Sequence, residues 1–393
     1  MSSTAAKEKL KSNIWWLSLT SFLVDISSEM ILPILPIFLR SVLGASFSLI
    51  GFIEGLAEGL GSFLKYFSGF WSDRLQKRKG LTLTGYGLSA VSRLFFVLTS
   101  SVATVGAFRV LDRMGKGIRT SPRDALIALS VGPKEKGKFF GIHRASDTAG
   151  AVIGTLIAAF FLFYFQEQIA SAMRLLLLLS FIPALLGVLF LIFVREPAIG
   201  LRPAVERRLF HFGRFSPRFK LFLVIAALYG LANYSYSFYL LRASDLGIAI
   251  ITLPWIYLLY NLVYAFSSYP AGNLSDKIGR RPVLVAAFLL FALVNLGFAF
   301  VTETWFLWPL FALYGLFIGA TDSVFRAFVS DLARREEQGE AFGLYHSLIG
   351  LTTIVGNLVA GLSWELWGVV WPFAFSAALI LAAALILNGA RWE

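Results

Sequence analysis

The chain has 393 residues, of which 57% are hydrophobic and only 15% are charged, and its mean hydropathy is +0.73. Soluble domains are closer to half apolar and a quarter charged, so the composition indicates a protein embedded in a lipid bilayer. The net charge of +12 does not indicate nucleic-acid binding, because the basic residues lie in short segments between apolar runs. The absence of cysteine excludes disulfides and thiolate chemistry.

A membrane-spanning helix needs about 20 mostly apolar residues. Twelve segments meet this requirement, and in chain order they are 14–39, 47–72, 80–101, 103–130, 138–164, 172–194, 217–241, 249–272, 281–301, 304–331, 339–364 and 368–390. The stretch 195–216 falls midway, and its prolines and arginines indicate a linker. The sequence therefore predicts an all-α membrane protein of two six-helix bundles, residues 1–194 and 217–393.

Lysine and arginine are unequally distributed between the two sets of connections. One set, together with the termini, holds most of them, and the opposite set holds only Arg40, Arg174 and Arg242. The positive-inside rule then predicts that both termini and the linker lie in the cytoplasm. Residues 1–11 are expected to lead into the first span, because no small-residue cleavage site follows it. We expect the protein in the cytoplasmic (inner) membrane of a bacterium.

A short segment occurs twice, 203 residues apart. Gly69 and Asp73 in the first copy correspond to Gly272 and Asp276 in the second, and a basic cluster follows each aspartate. Two copies at this long spacing indicate a duplicated membrane domain. A glycine, a carboxylate and a basic cluster between two spans also resemble the loop between spans 2 and 3 of the major facilitator superfamily. The first copy departs from that pattern at Gln76, where the family usually has glycine.

This resemblance implies a fold of two pseudo-symmetric six-helix halves and a secondary transporter, with no enzymatic activity and no cofactor. In the superfamily the repeated loop acts as a conformational latch. The residues that the resemblance assigns to the latch here are Gly69, Asp73, Arg74, Asp124, Gly272, Asp276 and Arg280. We expect Arg74 to reach Asp124, an acid at the end of span 4.

Ionisable residues inside spans are costly and usually functional. Asp25 and Glu29 are four residues apart in span 1, and Glu54 and Glu58 are four apart in span 2, so each pair shares one helix face. The positions 203 residues later hold Leu228, Ala232, Tyr257 and Asn261, so a span does not require these acids. We expect at least one of them to take up a proton near neutral pH, because burial disfavours the charged form.

Spans 3 to 5 contain further charged residues. We assign proton coupling or substrate binding to Arg109, Arg113, Arg144 and Asp147, and expect structural ion pairs from Arg93, Arg119, Arg123 and Asp124. The family's arginine motif aligns either on Arg109 or on Arg113, and both alignments remain open. The segments Asp-Ile-Ser-Ser-Glu-Met at 25–30, Gly-Lys-Gly-Ile-Arg-Thr at 115–120 and Pro-Arg-Asp-Ala-Leu at 122–126 resemble a branch of bacterial permeases, without indicating a substrate.

Gly141, Gly150 and Gly154 fit the spacing of the glycine-rich fifth span of antiporters in the superfamily, although Thr155 stands where those proteins have proline. This resemblance favours export. The second half supplies candidate cavity walls, namely Asn233, Tyr236, Tyr257, Tyr260, Asn261 and Tyr264. Tyrosine rings that face carboxylates suit an amphipathic organic cation.

The sequence thus predicts a proton-coupled antiporter that exports small cationic or amphipathic molecules and acts as a monomer in the bilayer, with no nucleic-acid partner. No Gly-x-x-x-x-Gly-Lys-Ser/Thr segment occurs, so we expect an ion gradient rather than ATP to supply energy. Three alternatives remain open. One is a proton-linked importer of an organic anion held by Arg109, Arg113 or Arg144. Another is an exporter of a divalent metal such as Mn²⁺ or Mg²⁺, and the third is a transporter-like receptor.

Overall fold

The computed structural model describes residues 3–75, 77–97, 101–132, 135–197, 215–333 and 338–390. Every regular element within these ranges is helical. The α-helices are α1 (Ser3–Ile31), α2 (Leu35–Ile37), α3 (Phe47–Leu75), α4 (Arg78–Val97), α5 (Val102–Leu129), α6 (Lys136–Tyr164), α7 (Ile169–Leu179), α8 (Phe181–Phe190), α9 (Pro217–Ala232), α10 (Tyr236–Asp245), α11 (Leu253–Ile278), α12 (Arg280–Phe300), α13 (Leu307–Leu332), α14 (Gln338–Trp367) and α15 (Val370–Gly389). Short π or 3₁₀ turns flank several of them, as at Phe38–Val42 and Leu191–Phe193.

Ten helical segments in the described residues are long and apolar enough to cross a membrane. They are Leu10–Val42, Phe47–Ser72, Gly137–Tyr164, Gln166–Phe193, Pro217–Asp245, Ile250–Ile278, Arg280–Phe300, Thr304–Leu332, Glu340–Trp367 and Val370–Gly389. Each overlaps one of the twelve predicted spans. The other two predicted spans, 80–101 and 103–130, overlap α4 and α5, and residues 98–100 of the first lie outside the described residues. These helices are formed, but α5 has seven charged residues and is therefore not apolar by composition.

The helices cluster into two compact units. Unit 1 contains Met1–Phe38 and Leu60–Arg207, and unit 2 contains Leu39–Gly59 and Arg208–Glu393. The division therefore passes through α3, whose first half clusters with unit 2. Most of the predicted linker, residues 198–214, lies outside the described residues, so the boundaries expected for the two halves stay a prediction.

Glycines bring the helices of unit 1 into backbone contact. A Cβ atom on Gly115 of α5 would lie 2.5 Å from the Gly85 carbonyl oxygen of α4. A Cβ on Gly150 or Gly154 of α6 would lie 2.4 Å or 2.3 Å from a carbonyl oxygen of α1. Small residues permit this close approach of membrane helices. Gly141 has no such neighbour within 4 Å, so two of the three glycines singled out in span 5 serve helix packing.

In unit 2 the span Pro217–Asp245 is interrupted between α9 and α10. Ser235 caps α10, and its Oγ accepts a hydrogen bond from the Ser237 amide at 3.3 Å. The Ser235 amide donates to Asn357 Oδ1 at 2.8 Å, and its hydroxyl donates to Glu54 Oε2 at 3.1 Å. Backbone groups inside a membrane need internal partners. At this interruption, Asn357 of α14 satisfies the backbone amide of Ser235, and Glu54 of α3 satisfies its hydroxyl.

Candidate functional site

Unit 1 encloses a small basic cavity between α1, α4 and α5. Its volume is about 10 Å³, which is room for about one water molecule. The cavity is lined by Ser28, Ile31, Leu32, Arg93, Phe96, Arg109, Asp112, Arg113, Lys116 and Arg119. Five of these side chains are basic and one is acidic, so the cavity is suited to an anionic group.

The spacing of α5 explains how one helix supplies four of the five basic residues. Arg109, Arg113, Lys116 and Arg119 follow one another at intervals of four, three and three residues, which places them along one helix face. Gly115 and Gly117 are interspersed with them and contact the glycine backbones of α4 and α3. The glycines thus hold α5 close to its neighbours, while the long side chains line the cavity.

Arg93 of α4 is the fifth basic residue, and its side chain is 1% exposed. Its guanidinium lies 3.3 Å from Asp112 Oδ1 and donates to Ser28 Oγ at 2.6 Å and to Ser27 Oγ. Arg109 lies 3.9 Å from the other carboxylate oxygen of Asp112. The single acid of the cavity is therefore shared by two arginines. Arg93 thus forms the ion pair that was expected, and its structural role stays a prediction.

Arg119 contacts neutral groups directly and also interacts electrostatically with Asp25 and Asp112. It donates to Ser89 Oγ at 2.6 Å, and its guanidinium lies 4.4 Å from the centre of the Tyr86 ring. Lys116, one turn away on the same face, is exposed at the cavity lining and interacts electrostatically with Asp25 of α1.

A second polar cluster lies where α6 packs on α1. Asp25 interacts electrostatically with Asp147 of α6 as well as with Lys116. Asp147 Oδ1 lies 3.7 Å from Nε2 of His143, one turn earlier on α6. The structure therefore brings together two of the predicted site residues, Asp25 and Asp147, and adds His143, which had not been assigned to the site. The signal for His143 was its four-residue spacing from Asp147.

In unit 2 the predicted tyrosines form a continuous row. The ring centres of Tyr236 and Tyr257 are 5.3 Å apart, those of Tyr257 and Tyr260 are 5.6 Å apart, and those of Tyr260 and Tyr264 are 6.4 Å apart. Asn261 is half-buried on the same helix, α11. Asn233 lies apart from this row in its contacts, because its amide donates to the Tyr229 hydroxyl at 3.0 Å.

The four predicted acids do not all fall within one unit. Asp25 and Glu29 lie in unit 1, whereas Glu54 and Glu58 lie in the part of α3 that clusters with unit 2. Glu54 is fully buried and accepts the hydrogen bond from Ser235, while Glu58 is half-buried and interacts electrostatically with Tyr314. A single carboxylate wall made of all four residues stays a prediction.

Sequence and structure comparisons identify the family. A sequence model of the Major Facilitator Superfamily matches residues 17–243 and 221–392. The chain is 39% identical to the uncharacterized MFS-type transporter MJ1317 of Methanocaldococcus jannaschii over 387 residues, which cover 96% of this chain and 95% of that protein. The chain belongs to the Major Facilitator Superfamily. It is therefore a multi-pass membrane protein of a transporter class and not an enzyme, as the resemblance implied.

Other relatives in the superfamily are more distant. The multidrug resistance protein MdtH of Cronobacter sakazakii is 28% identical over 291 residues, which cover 72% of this chain and 70% of that protein. The crystal structure of the nucleoside transporter NupG superposes with a TM-score of 0.74 at 14% identity, covering 96% of this chain and 98% of NupG. At this low identity the structural match establishes the fold alone.

The two copies of the superfamily loop differ in their contacts. In the second copy Arg280 pairs with Asp276, donates to Ser275 Oγ at 2.7 Å and lies 3.0 Å from Asp331. Asp331 was not predicted. Its signal is the same as the one used for Asp124, namely an acid near the end of a helix, here α13 instead of α5. Gly272 lies one turn before Asp276 on α11, and its carbonyl accepts from Ser275 Oγ at 2.7 Å.

In the first copy, the expected contact between Arg74 and Asp124 is not formed among the described side chains. Asp124 instead accepts two hydrogen bonds from its neighbour Arg123, at 2.8 and 3.0 Å, and Arg74 is exposed. The physical reason is that Arg123 already neutralises the carboxylate locally. Gly69 lies close to α5, because a Cβ atom added to it would be 3.3 Å from Ser121 Cβ. The Asp73 side chain lies outside the described atoms.

The remaining assigned residues are placed as follows. Arg113 is buried at the cavity, Glu29 is half-buried one turn after Asp25, and Arg144 is exposed on α6 next to His143. Within the described ranges no three His, Asp or Glu side chains converge on a position that would hold a metal ion. The divalent-metal alternative therefore gains no support from the geometry.

Proposed function

We propose that the protein is a secondary transporter whose substrate carries an anionic group, and that this group binds in the basic cavity of unit 1. The observation that carries the proposal is the lining of that cavity, with five basic side chains and one carboxylate. It favours the organic-anion alternative over the cationic substrate that the sequence first indicated.

The charge balance explains the choice. Asp112 lies within ion-pair distance of both Arg93 and Arg109, so its one negative charge is already shared. Arg119 contacts a hydroxyl group and an aromatic ring, and the two carboxylates that attract it, Asp25 and Asp112, also attract other basic side chains of the cavity. Positive charge inside a membrane protein is costly unless an anion or a water-filled path compensates it. A carboxylate, sulfate or phosphate group of a solute would supply that compensation.

Proton-linked import is the mode that this arrangement favours. Asp25 interacts electrostatically with Lys116 of the cavity and with Asp147, so protonation of either acid changes the charge that a bound anion meets.

In this proposal α4 and α5 also cross the membrane, which gives twelve spans. The excess of lysine and arginine on one set of connections supports cytoplasmic termini in a cytoplasmic membrane, and we propose a monomer.

The experiment uses purified protein in detergent and in proteoliposomes. Lactate, gluconate, citrate and inorganic phosphate are screened for thermal stabilisation and then for counterflow. We expect at least one anion to stabilise the protein and to exchange, and Lys116→Gln and Arg119→Gln to weaken its binding about tenfold or more, as expected when a charged hydrogen-bond partner is removed.

Arg174→Gln is the matched control, because Arg174 also lies in unit 1 but contacts the Phe38 ring, with its guanidinium 5.6 Å from the ring centre. This variant should bind the anion normally. Exchange of cationic amphiphiles with no response to any anion in the screen would contradict the proposal.

Proton-coupled export of cationic or amphipathic molecules is the second candidate. The tyrosine row of α11 and the neighbouring Glu58 favour it, because aromatic faces and a carboxylate recognise organic cations. The relative MdtH is named a multidrug resistance protein. For this candidate, Glu58→Gln should abolish resistance to cationic toxicants in a transporter-deficient host, and Lys116→Gln should leave resistance intact.

A further inference from the structure

His143 is a buried ionisable residue that the proposed anion site does not use. Its side chain lies on α6 where that helix packs on α1, and the residue is 3% exposed. Its Nδ1 atom lies 3.5 Å from the Ser18 hydroxyl of α1, and its Nε2 atom lies 3.7 Å from Asp147 Oδ1. Histidine is the side chain whose ordinary titration range is closest to physiological pH.

The two facing atoms have complementary chemistry and are not yet hydrogen-bonded. Among the described atoms, neither His143 Nε2 nor Asp147 Oδ1 has a hydrogen-bond partner, and both are shielded from solvent. The separation of 3.7 Å is longer than the roughly 2.7–2.9 Å of a charge-assisted N–H⁺···O⁻ bond. A side-chain adjustment of about 1 Å would close this gap once the imidazole is protonated.

Charged groups from three helices face the His143–Asp147 pair. From α5, Arg123 faces His143 and Asp147, but it donates two hydrogen bonds to Asp124. From α6 itself, Arg144 also interacts electrostatically with His143. From α1, Asp25 faces Asp147, and it also interacts electrostatically with Lys116 and Arg119 of the basic cavity.

We propose that His143 and Asp147 form the proton-binding site of the transporter, with Asp25 linking it to the anion cavity. A hydronium ion gives its proton to Nε2, so that an O–H bond breaks, an N–H bond forms and water is left, and the imidazolium donates to the Asp147 carboxylate. Release reverses the same step. The role of this pair in coupling rests on the proposed anion transport, whereas its ability to bind a proton does not.

The sign of the coupling follows from charge. Protonation adds one positive charge beside Asp147 and reduces the negative charge that Asp147 presents to Asp25. The potential at Lys116 and Arg119 then becomes more positive, so the cavity binds an anion more tightly. Linkage is reciprocal, and a bound anion therefore strengthens proton binding. Proton and anion bind together, which specifies symport rather than exchange of one for the other.

The first test needs no substrate. The protein contains three histidines, His143, His211 and His346, and their imidazole nitrogens are followed by NMR in ¹⁵N-histidine-labelled protein, with His143→Gln giving the assignment. We expect His143 to titrate between about pH 4 and pH 7, because burial and the neighbouring Arg123 disfavour the imidazolium while Asp147 favours it. Asp147→Asn should move its midpoint toward lower pH by about one unit or more, because a facing carboxylate is lost.

Asp322→Asn is the control, because Asp322 lies on α13 of unit 2 and pairs there with Arg326. It should leave the pH midpoint of the His143 titration unchanged. Asp147→Glu keeps a carboxylate, so its midpoint should stay close to that of the wild type, and it serves as a second variant if Asp147→Asn fails to fold. A His143 that keeps one protonation state throughout this pH range, or a midpoint indifferent to Asp147→Asn, would overturn the proposal.

The second test addresses coupling and uses the anion found in the stabilisation screen. In the wild-type protein its apparent affinity should rise as pH falls, by up to about tenfold per pH unit, the limit for one linked proton. His143→Gln should bind and exchange the anion with little pH dependence and fail to accumulate it under a proton gradient. His346→Gln should behave as the wild type. Unchanged pH dependence in His143→Gln would refute the coupling role, whereas failure of every anion to bind would refute the proposed function instead.

Discussion

The ion pair between Arg93 and Asp112 gives the sharpest stability prediction. Both residues are at least nine-tenths buried, and the charged atoms are 3.3 Å apart. With an effective dielectric constant of about 20, two unit charges at this distance attract by about 5 kcal/mol. Removing one partner of a buried pair typically costs about 3–5 kcal/mol, because the other charge stays buried without its counter-charge.

We therefore expect Arg93→Met to lower the free energy of unfolding by about 3 kcal/mol, the lower end of that range. The reason is that Arg109, 3.9 Å from Asp112, continues to compensate the carboxylate. Asp112→Asn removes the counter-charge of two arginines and should cost at least as much. The double variant should be more stable than the sum of the single changes implies, by about 2 kcal/mol.

The assay is equilibrium unfolding of the four proteins in mixed micelles titrated with sodium dodecyl sulfate. Lys11→Met provides the matched control, because Lys11 and Glu135 form a pair at 2.9 Å whose side chains are 43% and 42% exposed. Exposed pairs of this kind contribute little, so the loss of stability should be much smaller than in Arg93→Met. Additive effects of Arg93→Met and Asp112→Asn would refute the reasoning, because they would mean that the two charges do not stabilise each other.

Three further predictions concern packing, pH and the repeated loop. Gly115→Leu should prevent α4 and α5 from packing and abolish monodisperse protein in size-exclusion chromatography, whereas Gly87→Leu, with no neighbour within 4 Å of its Cβ, should be tolerated. Lys11 donates to Glu135 and holds the pKa of that carboxyl below its ordinary value of 4.5. The stabilisation of the folded protein by this pair is therefore complete above pH 4.5 and is lost as pH falls through the lowered pKa of Glu135. The melting temperature of Glu135→Gln should lack this decrease at acid pH, and an acid profile identical to that of the wild type would contradict the prediction. Arg280→Gln separates Asp276 and Asp331 from their shared partner, so hydrogen exchange at the end of α13 should become faster than in Arg281→Gln, and equal protection in both would count against the contact.

Much of the helical fold could be predicted from apolar runs, because ten of the spans are long and apolar on average, even where they contain charged residues. The interruption at Asn233–Ser235 was not predicted. The Ser235 amide is satisfied by Asn357 and the Ser235 hydroxyl by Glu54, both of which lie far away in the sequence, and no local pattern indicates such partners. Predicting the break would therefore require knowledge of which helices pack around the start of α10.

The charged residues were predicted unevenly for a similar reason. Spacing can indicate a pair such as Asp322–Arg326, observed at 2.5 Å, because residues four apart lie on one helix face. It did not indicate Arg123–Asp124, since adjacent residues of a helix do not normally face each other. Nor did it indicate that Arg93 and Lys116 share one cavity with Arg109, because that depends on how α4 and α5 cross.

The direct backbone contact of α4 with α5 at Gly85 and Gly115 has a consequence for any movement of the protein. Two helices that touch through their main chains have no flexible side chains between them to slide or repack. They are expected to travel as one rigid body, and every cationic group they bear would be carried along with unchanged mutual spacing. A solute anchored there would thus experience access from one side or the other without losing its counter-charges during the crossing.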